Sequence, residues 1–270
     1  MTATPAPKVV LPKINLLKPF ETLGASVIFT VQALGKVVRR PFRVGLLLQV
    51  LSFVGVGSLG IVLLTGVFTG AVFAIQTAVA FEIFNAKSLI GGTVAMSLVR
   101  ELAPSLTALM VAGRVGSAMT TELGTMRVTE QIDALETMAV DPVHYLITPR
   151  IVACTLMVPL LSMMFNAIGL AGAWVAATQL LDVDQAEFFS RIWLWLSPKD
   201  IACTCVKGTA FGLVIGAIAC YRGFNASGGS RGVGLATTGT VVTASAAVLI
   251  LDYLITSVWL VIFPSHGGLG

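Results

Sequence analysis

The sequence predicts an all-α integral membrane protein with five transmembrane helices, and three observations support this fold class. Of the 270 residues, 56% are hydrophobic and only 11% are charged, whereas soluble domains carry about 25% charged residues. The mean hydropathy is high, at +0.92. Five apolar runs each exceed the roughly 20 residues that a helix needs to cross a bilayer core. The runs cover about residues 46–80, 89–119, 150–181, 200–221 and 240–263.

The segment that precedes the first run is predicted to contain an amphipathic helix in the membrane interface. Between residues 14 and 40, apolar side chains recur at the three-and-four spacing of a helix, and polar side chains occupy the other side. A helix of this kind lies along the membrane surface and does not cross it. The chain is therefore divided into an N-terminal cytoplasmic segment (1–45), a five-span domain (46–263) and an external tail (264–270).

The distribution of lysine and arginine predicts the orientation of the spans. The N-terminal segment, the 114–150 connector and the 221–232 loop hold seven, three and two of these residues, whereas the other loops hold only Lys87, Arg191 and Lys199. Because basic residues concentrate in cytoplasmic loops, we expect a cytoplasmic N-terminus and an external C-terminus. Residues 182–196 are then external and are predicted to form an interfacial helix. This local basic excess indicates a membrane surface and not nucleic acid as the partner.

Four charged residues interrupt the predicted spans: Arg100, Glu101, Lys207 and Asp252. Each costs roughly 2.5–3.5 kcal/mol at the bilayer centre on insertion scales, so a pairing or a function is expected. A rise of about 1.5 Å per residue places all four at similar depth in the middle-to-outer membrane. Lys207 with Asp252 is interpreted as a structural ion pair, and Arg100 with Glu101 as a polar patch in a cavity that water or headgroups reach. Pro104 is expected to kink the second span or loosen its hydrogen bonding.

The connector between the second and third spans is too long and too polar for a simple turn. A short helix is predicted from Thr129, which caps it, with Glu130 in its first turn and Pro142 at its end. Such a helix is suited to docking on another protein. The alternative, a helix lying on the membrane with solvated acids, is disfavoured by the anionic inner leaflet. An apolar stripe (Val128, Ile132, Leu135, Ala139) and an acidic face (Glu130, Asp133, Glu136) are predicted.

Cysteine, glycine and nucleotide-binding patterns narrow the chemistry further. No Walker A pattern occurs in the chain, so any ATP that drives this protein binds to a partner. The four cysteines lie in apolar segments and are interpreted as small buried hydrophobic residues, with no metal site. Glycines at helix-packing spacing are expected to lie against protein, either within a subunit or across a dimer. The cysteines are Cys154, Cys203, Cys205 and Cys220, and the glycine series are Gly66 and Gly70, then Gly208, Gly212 and Gly216.

Four segments around the connector closely resemble the MlaE/YrbE permease family. They read LVRELAP (98–104), AGRVGSA (112–118), ELGTMRVTEQ (122–131) and MAVDP (138–142). Further similarity at residues 65–70, at Gln76, at the 240–242 start of the last run and at 251–252 extends the resemblance over most of residues 45–262.

The resemblance implies the membrane subunit of an ABC transporter that moves phospholipids or related lipids. It further implies a homodimer in the bacterial inner membrane, with cytoplasmic ATPase subunits that bind ATP and magnesium. A ring of mammalian-cell-entry (MCE) domain proteins on the external side would form a conduit toward the outer membrane, whose lipid asymmetry the transporter maintains. This chain itself is then not an enzyme and carries no cofactor.

The resemblance also implies roles for particular residues. Gln76, Phe84, Arg100 and Glu101 would line a lipid cavity at the dimer interface. Phe84 stands where the family often carries tyrosine, so it lacks that hydroxyl. The ATPase contact would comprise Glu122, Arg127, Glu130, Asp133 and Glu136.

Two other classes of function were weighed against lipid transport. A lipid-modifying membrane enzyme needs a catalytic constellation, but the only histidines, His144 and His266, lie in a loop and at the terminus. An ion-coupled secondary transporter can use Arg100, Glu101 and Asp252, but no inverted repeat of spans is evident. Co-purification of an ATPase and an MCE protein distinguishes the transporter subunit from both.

Overall fold

The computed structural model describes residues 44–84 and 86–263, together with residues 24, 28–33, 35 and 36 of the N-terminal segment. Regular structure in these ranges is entirely helical, and five stretches are long and apolar enough to cross a membrane. The predicted all-α membrane fold with five spans is therefore confirmed. Most of the helix predicted over 14–40 lies outside the described residues, although 28–33 are helical. The spans are Val44–Glu82, Lys87–Val128, Val143–Leu180, Pro198–Phe224 and Gly229–Ile262.

The loops define two sides of the bundle. The connector helix, Gln131–Thr137, lies between the second and third spans, and we call this the connector side. A second short helix, Gln185–Trp195, lies between the third and fourth spans and is called the distal helix. The opposite side, where the fifth span also ends, is the distal side. The interfacial helix predicted within 182–196 corresponds to the distal helix, whose N-cap Asp184 accepts a hydrogen bond from the backbone N–H of Glu187.

The third span is the axis on which the others pack, and glycine permits the close approach. A Cβ on Gly70 of the first span would lie 1.9 Å from the carbonyl oxygen of Gly169. A Cβ on Gly212 of the fourth span would lie 2.3 Å from the carbonyl oxygen of Cys154. Both predicted glycine series therefore pack on protein within this chain, and both meet the third span. Backbone contact of this kind replaces the hydrophobic drive that helices lack inside a membrane.

The second span continues beyond its apolar run, which was predicted to end at 119. The helix reaches Val128 because this polar extension is packed between the fourth and fifth spans. The Thr120 hydroxyl lies 3.1 Å from the carbonyl oxygen of Ala219 and 3.0 Å from the Thr240 hydroxyl. One turn further on, Gly124 lies against the side chains of Ala226 and Val233. Arg114 and Glu122 thus belong to the second span and not to a loop.

The first span is interrupted at Gly55, between helices Val44–Val54 and Val56–Glu82. Arg114 spans the interruption, because its guanidinium donates to the Phe53 carbonyl at 3.3 Å and to the Ser58 hydroxyl at 2.9 Å. The same guanidinium lies 5.5 Å from the centroid of the Phe53 ring. The second span therefore holds the two parts of the first span together at this interruption.

The Gly70 contact gives a direct test of the packing axis. Gly70→Ala is expected to destabilise the protein by about 1–3 kcal/mol, because its methyl group meets backbone that has no freedom to move aside. Gly60→Ala, in the same helix, is the matched control, because nothing lies within 4 Å of the added Cβ. Denaturation of the purified protein in detergent measures both. Equal stability of the two variants would contradict this packing.

Candidate functional site

Five charged side chains converge on the distal half of the bundle, and we call them the charge cluster. The Lys207 ammonium lies 2.7 Å from Glu101 Oε2 and 2.7 Å from Asp252 Oδ1. The Arg100 Nε donates to Asp200 Oδ1 at 2.7 Å. Lys207 and Asp252, which the sequence analysis paired, therefore lie within ion-pair distance, but Lys207 also binds Glu101. The cluster joins the second, fourth and fifth spans.

A π-helical turn, Leu98–Leu102, presents the second-span members of the cluster. Pro104 follows it and has no N–H to donate to the carbonyl of Arg100. That carbonyl instead accepts a hydrogen bond of 2.9 Å from the Lys207 ammonium. The neighbouring Val99 carbonyl accepts from the Thr204 hydroxyl. Side chains of the fourth span thus donate to backbone carbonyls that the π turn and Pro104 leave free. The helical hydrogen bonding of the second span is loosened near Pro104, as the sequence predicted.

The members of the cluster differ sharply in exposure. The Lys207 side chain is fully buried and that of Asp200 is 2% exposed, whereas Arg100 and Glu101 are 29% and 42% exposed. Glu101 therefore presents a carboxylate on the surface of the spans. Its Oε1 accepts a hydrogen bond of 3.2 Å from the Thr256 hydroxyl. A charged group exposed at this level of the span requires water, a polar ligand or another protein surface, because lipid chains cannot solvate it.

Asp200 is a cluster residue that the sequence analysis missed. It lies in the first turn of the fourth span, where its other carboxylate oxygen accepts from the Ser197 backbone N–H at 2.8 Å. Ser197 and Asp200 together form a capping box. The S-x-x-D spacing was a readable signal of that cap. Its partner Arg100 is one hundred residues away, and no local pattern predicts that contact.

The other two candidate lipid contacts lie on the first span or just beyond it. Gln76 is exposed on the helix surface. Phe84 follows the end of the span and is 75% exposed. No hydrogen bond or ion pair in the described part of the chain joins either residue to the charge cluster.

The connector helix differs from its prediction at both ends. Thr129 does not cap it, because its hydroxyl donates to the Thr125 carbonyl of the preceding helix. Glu130 is the N-cap, in the left-handed region with φ of 60°, and makes no side-chain capping bond. The helix ends at Thr137 and not at Pro142. Ala139, with φ of 58°, closes a Schellman motif in which the Val140 N–H donates to the Leu135 carbonyl.

The acidic face of the connector helix is exposed, as its spacing predicted. Glu130, Asp133 and Glu136 all lie at the surface, whereas Ile132 is fully buried beneath the helix. Asp133 pairs with Arg127. The carboxylates of Glu130 and Glu136 have no hydrogen bond or ion pair among the described residues. Of the predicted stripe, Ala139 is exposed, because the chain has already turned away from the helix.

Ion pairs anchor the connector to the ends of the spans. Glu122 accepts a 2.6 Å hydrogen bond from Arg150, whose guanidinium is 7% exposed. Lys36 of the N-terminal segment pairs with Asp141. Burial alone raises the pKa of Asp141, but hydrogen bonds from Lys36 and from the His144 backbone outweigh it and hold the pKa below 3.8. This contact is therefore intact at neutral pH and is lost only as the pH falls through that lowered pKa.

Comparisons with known proteins relate this sequence to transporter membrane subunits. The family model "Permease MlaE" matches residues 47–258. A probable ABC transporter permease protein of Rickettsia conorii is 40% identical over 239 residues, which cover 88% of this chain and 92% of that protein. One from Synechocystis sp. is 41% identical over 213 residues, covering 79% and 80%. The chloroplastic protein TRIGALACTOSYLDIACYLGLYCEROL 1 of Arabidopsis thaliana is 38% identical over 210 residues, covering 78% and 60%.

A five-span helical protein with these relatives is the membrane subunit of an ABC transporter. The chain belongs to the MlaE permease family, as its four connector segments indicated. A permease of this class works with an ATPase partner.

The buried ammonium yields a stability prediction. Lys207→Met is expected to destabilise the protein by about 3–5 kcal/mol, because it leaves two carboxylates without their counter-charge. Lys87→Met is the control, since Lys87 and Glu82 are 3.7 Å apart with side chains 48% and 69% exposed. An exposed pair of this kind contributes about 0–1 kcal/mol. Chemical denaturation in detergent measures both variants, and a Lys207→Met loss no larger than that of the control would refute the assignment.

Proposed function

We propose that this chain is the permease subunit of an ATP-driven transporter that moves phospholipids. The single observation that carries the proposal is the partial exposure of two adjacent charged residues, Arg100 and Glu101, within otherwise apolar spans. A phospholipid matches such a surface, because its chains favour the apolar flanks while its headgroup meets the charges. The name of the Arabidopsis relative contains the name of a glycolipid, and this supports a lipid as the cargo.

We propose that two copies of the chain enclose the lipid. In the most apolar stretch of the fifth span, only 6% of the residues are buried within a single chain, whereas 56% are buried in the corresponding stretch of the fourth span. The exposed edge of the charge cluster adjoins this span through Thr256. A second copy placed against the first and fifth spans would close a cavity around Arg100, Glu101 and Gln76, and would separate the charges from bulk lipid.

The partners in this proposal bind to the two opposite sides. The ATPase docks on the acidic face and on the nearby Glu122 and Arg127. An MCE-domain ring binds at the distal side and receives the lipid on its route between the inner and outer membranes. The lysine and arginine distribution supports a cytoplasmic connector side and an external distal side.

The fold supplies a route by which the ATPase acts on the lipid site. The second span carries the charge cluster in its distal half and leads directly into the connector helix. Near its connector end it is bound to the fourth and fifth spans through Thr120. Movement of the acidic face is therefore transmitted to all three spans that form the cluster, and closure of the ATPase dimer would compress the cavity.

Docking is tested by reversing the two acids that have no partner in the described structure. Glu130→Lys combined with Glu136→Lys is expected to abolish co-purification of the ATPase, because like charges then face the docking surface. Glu187→Lys, on the exposed surface of the distal helix, is the control for added positive charge and should retain the ATPase. Full ATPase binding by the double variant would rule out this docking surface.

Transport is tested with proteoliposomes that contain the permease, its co-purified ATPase and a fluorescent phospholipid. The lipid is expected to move only when ATP is hydrolysed, because the proposed transporter is driven by its ATPase partner. Vesicles supplied with a non-hydrolysable ATP analogue provide the control. Equal lipid movement by this chain alone, without ATP, would instead indicate a passive or ion-coupled carrier.

A further inference from the structure

The charge cluster holds three carboxylates but only two cations. Arg100 neutralises Asp200, so the single ammonium of Lys207 is shared between Glu101 and Asp252. No other lysine or arginine in the described ranges forms an ion pair with these three acids. With all five groups ionised, the cluster carries one uncompensated negative charge inside the spans.

Lys207 cannot compensate that charge, because its one positive charge is shared between two carboxylates. Its ammonium donates hydrogen bonds to the Arg100 carbonyl and to Glu101 Oε2, and it also lies 2.7 Å from Asp252 Oδ1 as an ion pair. Asp252 is 16% exposed and also accepts a hydrogen bond of 3.0 Å from Ser105. Glu101 is the most exposed acid of the cluster, at 42%. The uncompensated charge is therefore accessible at Glu101.

Glu101 and Arg100 both retain hydrogen-bonding capacity. A carboxylate accepts about four hydrogen bonds, and among the described residues Glu101 accepts only from Lys207 and Thr256. A guanidinium has five N–H donors, and within the described structure Arg100 uses only Nε. Adjacent residues on one helix thus offer an open acceptor with excess negative charge and an open donor group with positive charge.

We infer that this site selects a zwitterionic headgroup, one that carries a phosphate and an ammonium, over a purely anionic one. This inference rests on the proposed function of lipid transport. The phosphate binds the free guanidinium N–H groups of Arg100, and the ammonium binds Glu101 beside the Thr256 hydroxyl. The ammonium supplies the positive charge that Lys207 cannot, so Glu101 is the specificity-determining residue.

An anionic headgroup lacks this complementarity. Its phosphate would approach Arg100 with no cation for Glu101, which brings a second negative charge next to an uncompensated one in a poorly hydrated setting. Juxtaposed like charges reject a wrong partner more strongly than a lost contact does. Discrimination therefore arises from repulsion at Glu101 as well as from attraction.

The experiment measures which lipids the intact permease complex retains. The complex is equilibrated in mixed micelles of equal phosphatidylethanolamine and phosphatidylglycerol, and bound lipids are quantified by native mass spectrometry. Wild type should retain phosphatidylethanolamine in preference. Glu101→Gln should lower that preference about tenfold, the loss expected for one charge-assisted hydrogen bond. The control is Glu187→Gln, the same change on the distal helix, which should keep the wild-type ratio.

The outcomes separate this inference from the proposed function. If wild type binds both lipids equally, or prefers phosphatidylglycerol, headgroup selection is wrong while lipid binding stands. The same holds if Glu101→Gln folds, binds lipid and keeps the wild-type ratio. Because the wild-type ratio alone can refute the inference, it remains testable even if the variant fails to fold. Absence of any bound phospholipid would instead contradict the proposed function itself.

Discussion

The distal half of this protein is organised around one buried ammonium group. Lys207 is fully enclosed and meets a backbone carbonyl and two carboxylates that belong to the second and fifth spans. Burying a charge in a membrane protein is costly unless it is paired and hydrogen-bonded. Here the Arg100 carbonyl accepts from the ammonium, because Pro104 has no N–H to donate to that carbonyl. The three spans that form the charge cluster are therefore joined at this one group.

The second span connects the proposed ATPase contact to the candidate lipid site. Close glycine contacts fix the first and fourth spans on the third, while the second span joins the connector helix to the charge cluster. Thr120 binds the connector end of that span to its neighbours, and Lys207 binds its distal half. The second span is therefore held to the fourth and fifth spans at both levels. The exposed surfaces of the first and fifth spans form the side on which a second copy is proposed.

The sequence predicted those features of the protein that depend on composition and on the local spacing of residues. Length and hydropathy were enough for the five spans, and residue spacing for the exposed acidic face. Helix ends were less predictable, because Thr120 and Gly124 extend the second span through tertiary packing that hydropathy does not register. The left-handed residues Glu130 and Ala139 gave no glycine signal. Asp200 was missed because its partner Arg100 is remote in sequence and its own position looked like a loop boundary.

The proposed function requires a lipid headgroup to reach Arg100 and Glu101. Lys207 lies seven residues beyond Asp200 in the fourth span, roughly 10 Å deeper in the bundle, so the Glu101 contact lies well inside the span. The most direct measurement is photo-crosslinking of the intact complex with a phospholipid whose diazirine is in the headgroup. We expect labelling of the peptide that contains Glu101. Labelling confined to the ends of the spans, with none at residues 100–101, would contradict it.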